Sequence, residues 1–224
     1  MSDRTSFYPE LARDIAPAGG ALGVLLPGLG AVATTLVAGV HLIGKGLARP
    51  FGSLTQMQKM RLGKRTEPRF TPIKELVPLA EPRDLVFGGW DIFPDDAYES
   101  AVKAGVVPHE LLSAVKGELS ALSPWPAVFE RAWVRNLDGH HCKQAPSKMH
   151  LAEALIADIE GFRKRTGVAR SVMVWCGSTE VYAQSSAVHE SLPAFEKGLK
   201  ESSPDISPSM IYAYASILSG IPFA

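Results

Sequence analysis

The residues best placed to do chemistry are Gly28, Gly30 and Ala33. They follow the apolar run Leu22-Gly23-Val24-Leu25-Leu26-Pro27 and precede a helical pattern, the order strand, tight turn, helix. Their spacing satisfies G-x-G-x-x-G/A, the fingerprint of dinucleotide pyrophosphate binding. The first glycine permits the sharp turn and the second clears space for phosphate. The small third residue lets the helix pack on its strand. Free N–H groups and the positive end of the helix dipole then face the anion. Two other readings fit the same residues. One is a plain buried strand and helix joined by a glycine turn. The other is a membrane span, since no Asp, Glu, Lys or Arg lies between Asp14 and Lys45. Pro27-Gly28-Leu29-Gly30 interrupts that run and would break a helix there.

Asp91 is the next candidate. It ends the stretch Asp84-Leu85-Val86-Phe87-Gly88-Gly89-Trp90-Asp91, and an acid after a strand suits a ribose hydroxyl. It lies farther from the glycines than the simple fingerprint expects, so an extra segment intervenes. By spacing alone a turn or helix-capping role fits Asp91 equally well. Gly177, Ser178 and Thr179 follow a third apolar run, Ser171 to Cys176. Ligands of open parallel sheets sit at such carboxyl ends. Cys176 has no His near it in sequence to activate it, so a small buried thiol is expected. His140-His141-Cys142 are adjacent and lack a second ligand pair at finger spacing, so no metal is expected there. His41 has no partner three or four residues on and is read as packed. Lys59, Arg61, Lys64, Arg65 and Arg69 read as a solvated basic loop.

These residues need a scaffold. A chain of 224 residues, 46% hydrophobic, makes one large domain or two small ones. Its charges cancel, which argues against nucleic-acid and anionic-lipid partners. Two cysteines and no signal-peptide pattern fit a reducing cytoplasm. Residues 1–20 read as an arm, and 21–224 as the domain. The helix after the fingerprint is expected to bury Leu36, Val40, Ile43 and Leu47. Thr71-Pro72 should cap a short helix running to Leu79. Asp95 and Asp96 open a helix closed by Gly105. Pro108 opens another, with Leu111, Leu112, Val115, Leu119 and Leu122 inward. Val128 to Val134 reads as a strand or edge. Ser147 caps a helix from Lys148 to Thr166 that Gly167 closes. Leu192, Phe195 and Leu199 mark a further helix. Ser207-Pro208 caps the last, with Ile211, Tyr214 and Leu218 on one face. Three strand–loop–helix units in this order predict an α/β fold, a Rossmann-like dinucleotide-binding domain with a mainly parallel sheet. Strand-forming residues begin at Ile221-Pro222-Phe223-Ala224 and stop, so that domain is expected to be incomplete at its C-terminus.

Five stretches together resemble the myo-inositol-phosphate synthases. They are Gly23 to Gly30, Phe51-Gly52-Ser53-Leu54-Thr55-Gln56, Gly89-Trp90-Asp91-Ile92, Val174-Trp175 with Ser178-Thr179-Glu180, and Ile206 to Phe223. The resemblance implies NAD-dependent isomerisation of glucose 6-phosphate to inositol 3-phosphate. In that family the cofactor oxidises the sugar, an enolate closes the ring, and the same cofactor returns the hydride. By the match, Gly28, Leu29, Gly30, Ala31 and Val32 would hold the pyrophosphate, Asp91 the adenosine ribose, and Gly177, Ser178 and Thr179 the cofactor beyond. The loop around Asp138 and His141 falls near another cofactor contact. Ala31-Val32-Ala33 replace a more polar loop found in many members. The family's catalytic lysines lie in sequence beyond the matched part, so no catalytic residue is named and the chain is expected to be inactive alone. A cytoplasmic homo-oligomer, a tetramer by family, is implied, with no membrane or nucleic-acid partner. The competing reading is a catalytically silent NAD-binding or oligomerising relative.

Overall fold

The computed structural model describes residues 19–67, 69–77 and 79–224. The expected arm therefore lies almost wholly outside the described residues. β1 (Leu22–Pro27) is the central strand, buried over most of its length, and α1 (Ala31–Gly44) follows directly. β1 pairs in parallel with β4 (Leu85–Asp91) on one side and β6 (Arg170–Met173) on the other. β4 in turn pairs in parallel with the two-residue β5 (Trp125–Pro126). The order is β5-β4-β1-β6. The chain thus builds outward from β1 through β4 to β5, then crosses back to lay β6 on the opposite flank. The strand order reverses at β1, which opens a crevice at the carboxyl ends of β1 and β6.

Alternate β1 side chains feed two cores. Val24 and Leu26 pack with Ala33, Val37 and Ala38 of α1 and with Ala97, Leu112 and Leu119. Those residues belong to α3 (Ala97–Ala104), α4 (His109–Ala114) and α5 (Lys116–Ser120). Leu25 packs on the other face with Leu155, Ile159, Phe162, Ile211 and Tyr212. These come from α6 (Lys148–Thr166) and α8 (Pro208–Leu218), and α7 (Leu192–Lys200) lies against α6. Helices on both faces explain the near-continuous apolar strands. Asp96 accepts from the Glu99 N–H to cap α3, and Gly105 closes that helix at φ 65°. Ser147 caps α6, and Gly167 closes it at φ 70°.

Several expectations are corrected. Of the residues expected to face inward, Val40 of α1 is buried, Leu36 points outward with 43% of it exposed, and Leu47 lies past the helix end with 53% exposed. Besides Val40 and Leu42 the helix buries Ala33, Thr34, Val37 and Ala38, smaller side chains that let it sit close to the sheet. The inserted segment is not a plain loop. It holds a short helix α2 (Leu54–Met57) and an antiparallel hairpin of β2 (Lys59–Leu62) and β3 (Arg69–Pro72). Its cations are exposed, as expected, but Thr71-Pro72 end a strand, and only a three-residue 3-10 turn, Ile73–Glu75, follows in place of the short helix expected to run to Leu79. The helix after Pro108 breaks at Val115 into α4 and α5. No strand covers Val128 to Val134; that stretch runs as loop and turn after β5. On α8 the buried face is Ile211, Tyr212, Ala215 and Ser216, and Leu218 is exposed. The terminal residues do find a partner: Phe223 bridges Met173 in parallel, and the Ala224 N–H donates to the Met173 carbonyl at 3.0 Å.

Candidate functional site

The sequence sends β1 into a turn at Gly28, whose φ of 92° suits glycine. A Cβ there would lie 2.7 Å from the Cα and N of Gly177, in the loop after β6. The two loops at the strand-order reversal therefore touch through glycine backbone. Gly30 is the N-cap of α1, and among the described residues no side chain caps that helix. No acidic residue sits in its first turn, and a Cβ on Gly30 would meet nothing within 4 Å. The free N–H groups and the open space above Gly30 are what a phosphate group requires. The glycine loop thus fits the pyrophosphate of a dinucleotide.

Asp91 ends β4 beside this turn. Its Oδ2 accepts from the Leu29 N–H at 2.6 Å, and its Oδ1 accepts from the Phe93 N–H at 3.0 Å. Burial pushes its carboxyl above the usual range, and the N–H groups of Phe93 and Leu29 only partly oppose this. Gly88 and Gly89, just before Asp91, are needed for packing. They lie within the strand, and a Cβ on them would strike Trp125 and the Leu26 carbonyl.

A cavity of about 260 Å³ lies over these strand ends. Gly28, Gly30, Asp91, Gly177 and Ser178 line it, together with Ile92, Phe93, Val128, Val134 and Leu137. Its walls are chiefly apolar, with few polar groups at fixed points, the usual character of a cofactor cleft. Not every expected residue faces it. Leu29 is fully buried in the core and does not line the cavity; its N–H is held by Asp91, so it serves the site only by fixing the turn. Ala31 and Val32 are exposed at the start of α1, and Thr179 is exposed beyond the cleft wall. Cys176 lines the cavity and is half-buried, and burial raises its thiol pKa. It stays protonated and is a poor nucleophile.

The 127–143 loop closes the far side. His141 donates its backbone N–H to the Ile92 carbonyl, and its ring Nδ1 lies 3.1 Å from the Asp91 carbonyl. Cys142 Sγ donates to the Gly139 carbonyl. The His–His–Cys run thus buttresses the end of β4. Asp138 is exposed and paired with Arg131. His41 packs edge-on against Phe87, and burial lowers its pKa. Sequence reasoning missed Glu180 and Tyr212. Glu180 lines the cavity and accepts from Ser209 N–H at 2.8 Å and Ser209 Oγ at 2.6 Å. It holds the first turn of α8, the task expected of Ser207, whose side chain makes no cap bond.

With this geometry in place, a family model described as myo-inositol-1-phosphate synthase matches residues 22–224. The chain belongs to the myo-inositol-1-phosphate synthase family. Inositol-3-phosphate synthase 1 of Bacteroides thetaiotaomicron is 46% identical, over 95% of this chain and 49% of that protein. Inositol-3-phosphate synthase 1 of rice (Oryza sativa subsp. japonica) is 31% identical, over 90% of this chain and 43% of its own length. The crystal structure of the inositol-3-phosphate synthase of Caenorhabditis elegans superposes with a TM-score of 0.85 at 25% identity. That match covers 91% of this chain and 43% of the other. The chain spans about half the length of the curated relatives it matches. The matched portion is the family's NAD-binding domain, in agreement with the Rossmann-like fold and parallel sheet.

Proposed function

We propose that this chain is the cofactor-binding part of an inositol-3-phosphate synthase. Such an enzyme isomerises D-glucose 6-phosphate to 1D-myo-inositol 3-phosphate and so feeds inositol and phospholipid synthesis. When bound, NAD supplies a hydride acceptor and donor that is regenerated within the cycle. The free backbone N–H groups of Gly30, Ala31 and Val32 bind the pyrophosphate at the start of α1, and Gly28 and Leu29, whose own N–H groups go to the Trp90 carbonyl and Asp91, shape the turn beneath it. Asp91 accepts hydrogen bonds from the adenosine ribose hydroxyls. Gly177 and Ser178 border the cofactor on the β6 side, and Thr179 lies just beyond the cleft wall. The observation that carries this reading is the single cleft formed by the uncapped start of α1, Asp91 and the Gly177 loop.

The protein works as a cytoplasmic homo-oligomer in this reading, and its two free cysteines fit a reducing compartment. The test is calorimetric titration of the full-length protein with NAD and NADP, followed by assay with glucose 6-phosphate. Binding of NAD in preference to NADP supports the reading. Equal or absent binding of both cofactors overturns it.

A further inference from the structure

Tyr212 stands out among the groups that the proposed NAD site does not use. It is 1% exposed and borders the cavity. Its ring packs against Trp90 of β4 at 5.4 Å and Trp175, just past β6, at 5.6 Å. The ring thus sits beneath the end of β1, at the centre of the crevice. Its hydroxyl reaches the β5 side, where it accepts the Val128 N–H at 3.0 Å. That bond uses one lone pair. The phenolic hydrogen has no acceptor among the described residues. Burial raises the pKa of this group far beyond the physiological range, so the hydrogen stays in place. A buried donor left without a partner is costly, and the adjoining cavity is where an acceptor can be supplied.

We infer that the Tyr212 hydroxyl donates to a ring nitrogen of the adenine in the bound dinucleotide. This rests on the proposed NAD site. The hydroxyl lies on the β4–β5 side, the same side as Asp91, which takes the ribose. The walls there are Ile92, Val128, Val134 and Leu137, which give no side-chain hydrogen-bond donor. Adenine presents ring nitrogens that accept hydrogen bonds, and Tyr212 supplies a neutral donor fixed by the Val128 bond.

The test uses the full-length protein and its Tyr212→Phe variant. NAD, ADP-ribose, AMP and nicotinamide mononucleotide are titrated into each. The first three should bind about three- to tenfold more weakly to the variant, the range for one neutral hydrogen bond. Nicotinamide mononucleotide should bind both equally. A variant that melts earlier, because Val128 loses its acceptor, but binds AMP as tightly as wild type overturns the inference. If the variant does not fold, the wild-type protein is titrated with 1-, 3- and 7-deaza-AMP. One of the three should then lose affinity by a similar factor, and three unchanged affinities also overturn it. Failure of wild-type protein to bind NAD at all would sink the NAD site and this inference together. Normal NAD binding with no Tyr212 effect sinks the inference alone.

Discussion

The Leu29 N–H donates to Asp91 Oδ2 at 2.6 Å, joining the glycine turn after β1 to the end of β4 across 62 residues of sequence. One carboxylate oxygen is therefore committed to holding the glycine turn. The other accepts from Phe93 N–H and lies at the cavity edge. Asp91 thus fixes the glycine turn as well as lining the cavity, and in the proposed NAD site these are the pyrophosphate and ribose sides.

Asp91→Ala removes both functions. Charge-assisted bonds to ribose hydroxyls contribute about 1.5–3 kcal/mol, so NAD should bind roughly ten- to a hundredfold more weakly. The preference over NADP should narrow, because the charge that repels the extra phosphate is gone. Asp91→Asn should weaken NAD less, since its amide oxygen still accepts from Leu29. Calorimetry of the three proteins with both cofactors measures this, and unchanged NAD affinity in the alanine variant would mark Asp91 as a turn residue.

The same residue sets a pH dependence. Burial holds the Asp91 carboxyl above its ordinary range, so folding favours the neutral acid. The stabilisation from this group is complete below its unfolded pKa and is lost as pH rises through the raised folded value. Asp91→Asn is neutral throughout, so it should melt higher than wild type near pH 7. That gain should shrink as the pH is lowered toward about 4. Chemical denaturation across this range reads it, and a constant difference between the two proteins would contradict it.

The glycine turn and the parallel α/β order were legible in the sequence because each rests on local pattern: an apolar run, a turn residue, a cap. Asp96, Ser147, Gly105 and Gly167 do what their types predict. Burial direction was less legible. Leu36 and Leu47 have the spacing of an inward face, yet α1 approaches the sheet through Ala33 and Ala38. How close a helix sits depends on tertiary contacts that periodicity does not encode. Tyr212 and Glu180 were missed for a related reason. Their partners, Val128 and Ser209, lie 84 and 29 residues away, and no short motif joins them.

Glu180 predicts a stability effect. Both of its carboxylate oxygens are bound to Ser209 at the start of α8. Glu180→Ala should cost about 0.5–2 kcal/mol, as for loss of a helix cap. Ser207→Ala should cost less, because Ser207 makes no cap bond and its hydroxyl only meets Ser209 Oγ at 3.0 Å. Urea denaturation of both variants orders the two, and a larger loss for Ser207→Ala would reassign the cap.

Gly28 and Gly30 should respond oppositely to the same methyl group. Gly28 has φ 92°, and a Cβ there would press on the Gly177 backbone at 2.7 Å. Backbone strain and overpacking each cost about 1–3 kcal/mol. Gly28→Ala should therefore destabilise the fold by roughly 2–6 kcal/mol, a fall in Tm of roughly 4–24 °C. Gly30 has φ −79°, which alanine adopts freely, and a Cβ there has open space. Gly30→Ala should change stability by no more than about 1 kcal/mol. The added methyl would occupy the approach of the pyrophosphate, so NAD should bind about tenfold more weakly or worse, at least about 1.4 kcal/mol. Thermal melts and NAD titrations of the two variants separate a glycine that the fold requires from one that the ligand requires. Equal NAD affinity in wild type and Gly30→Ala would place the cofactor's phosphates away from the start of α1.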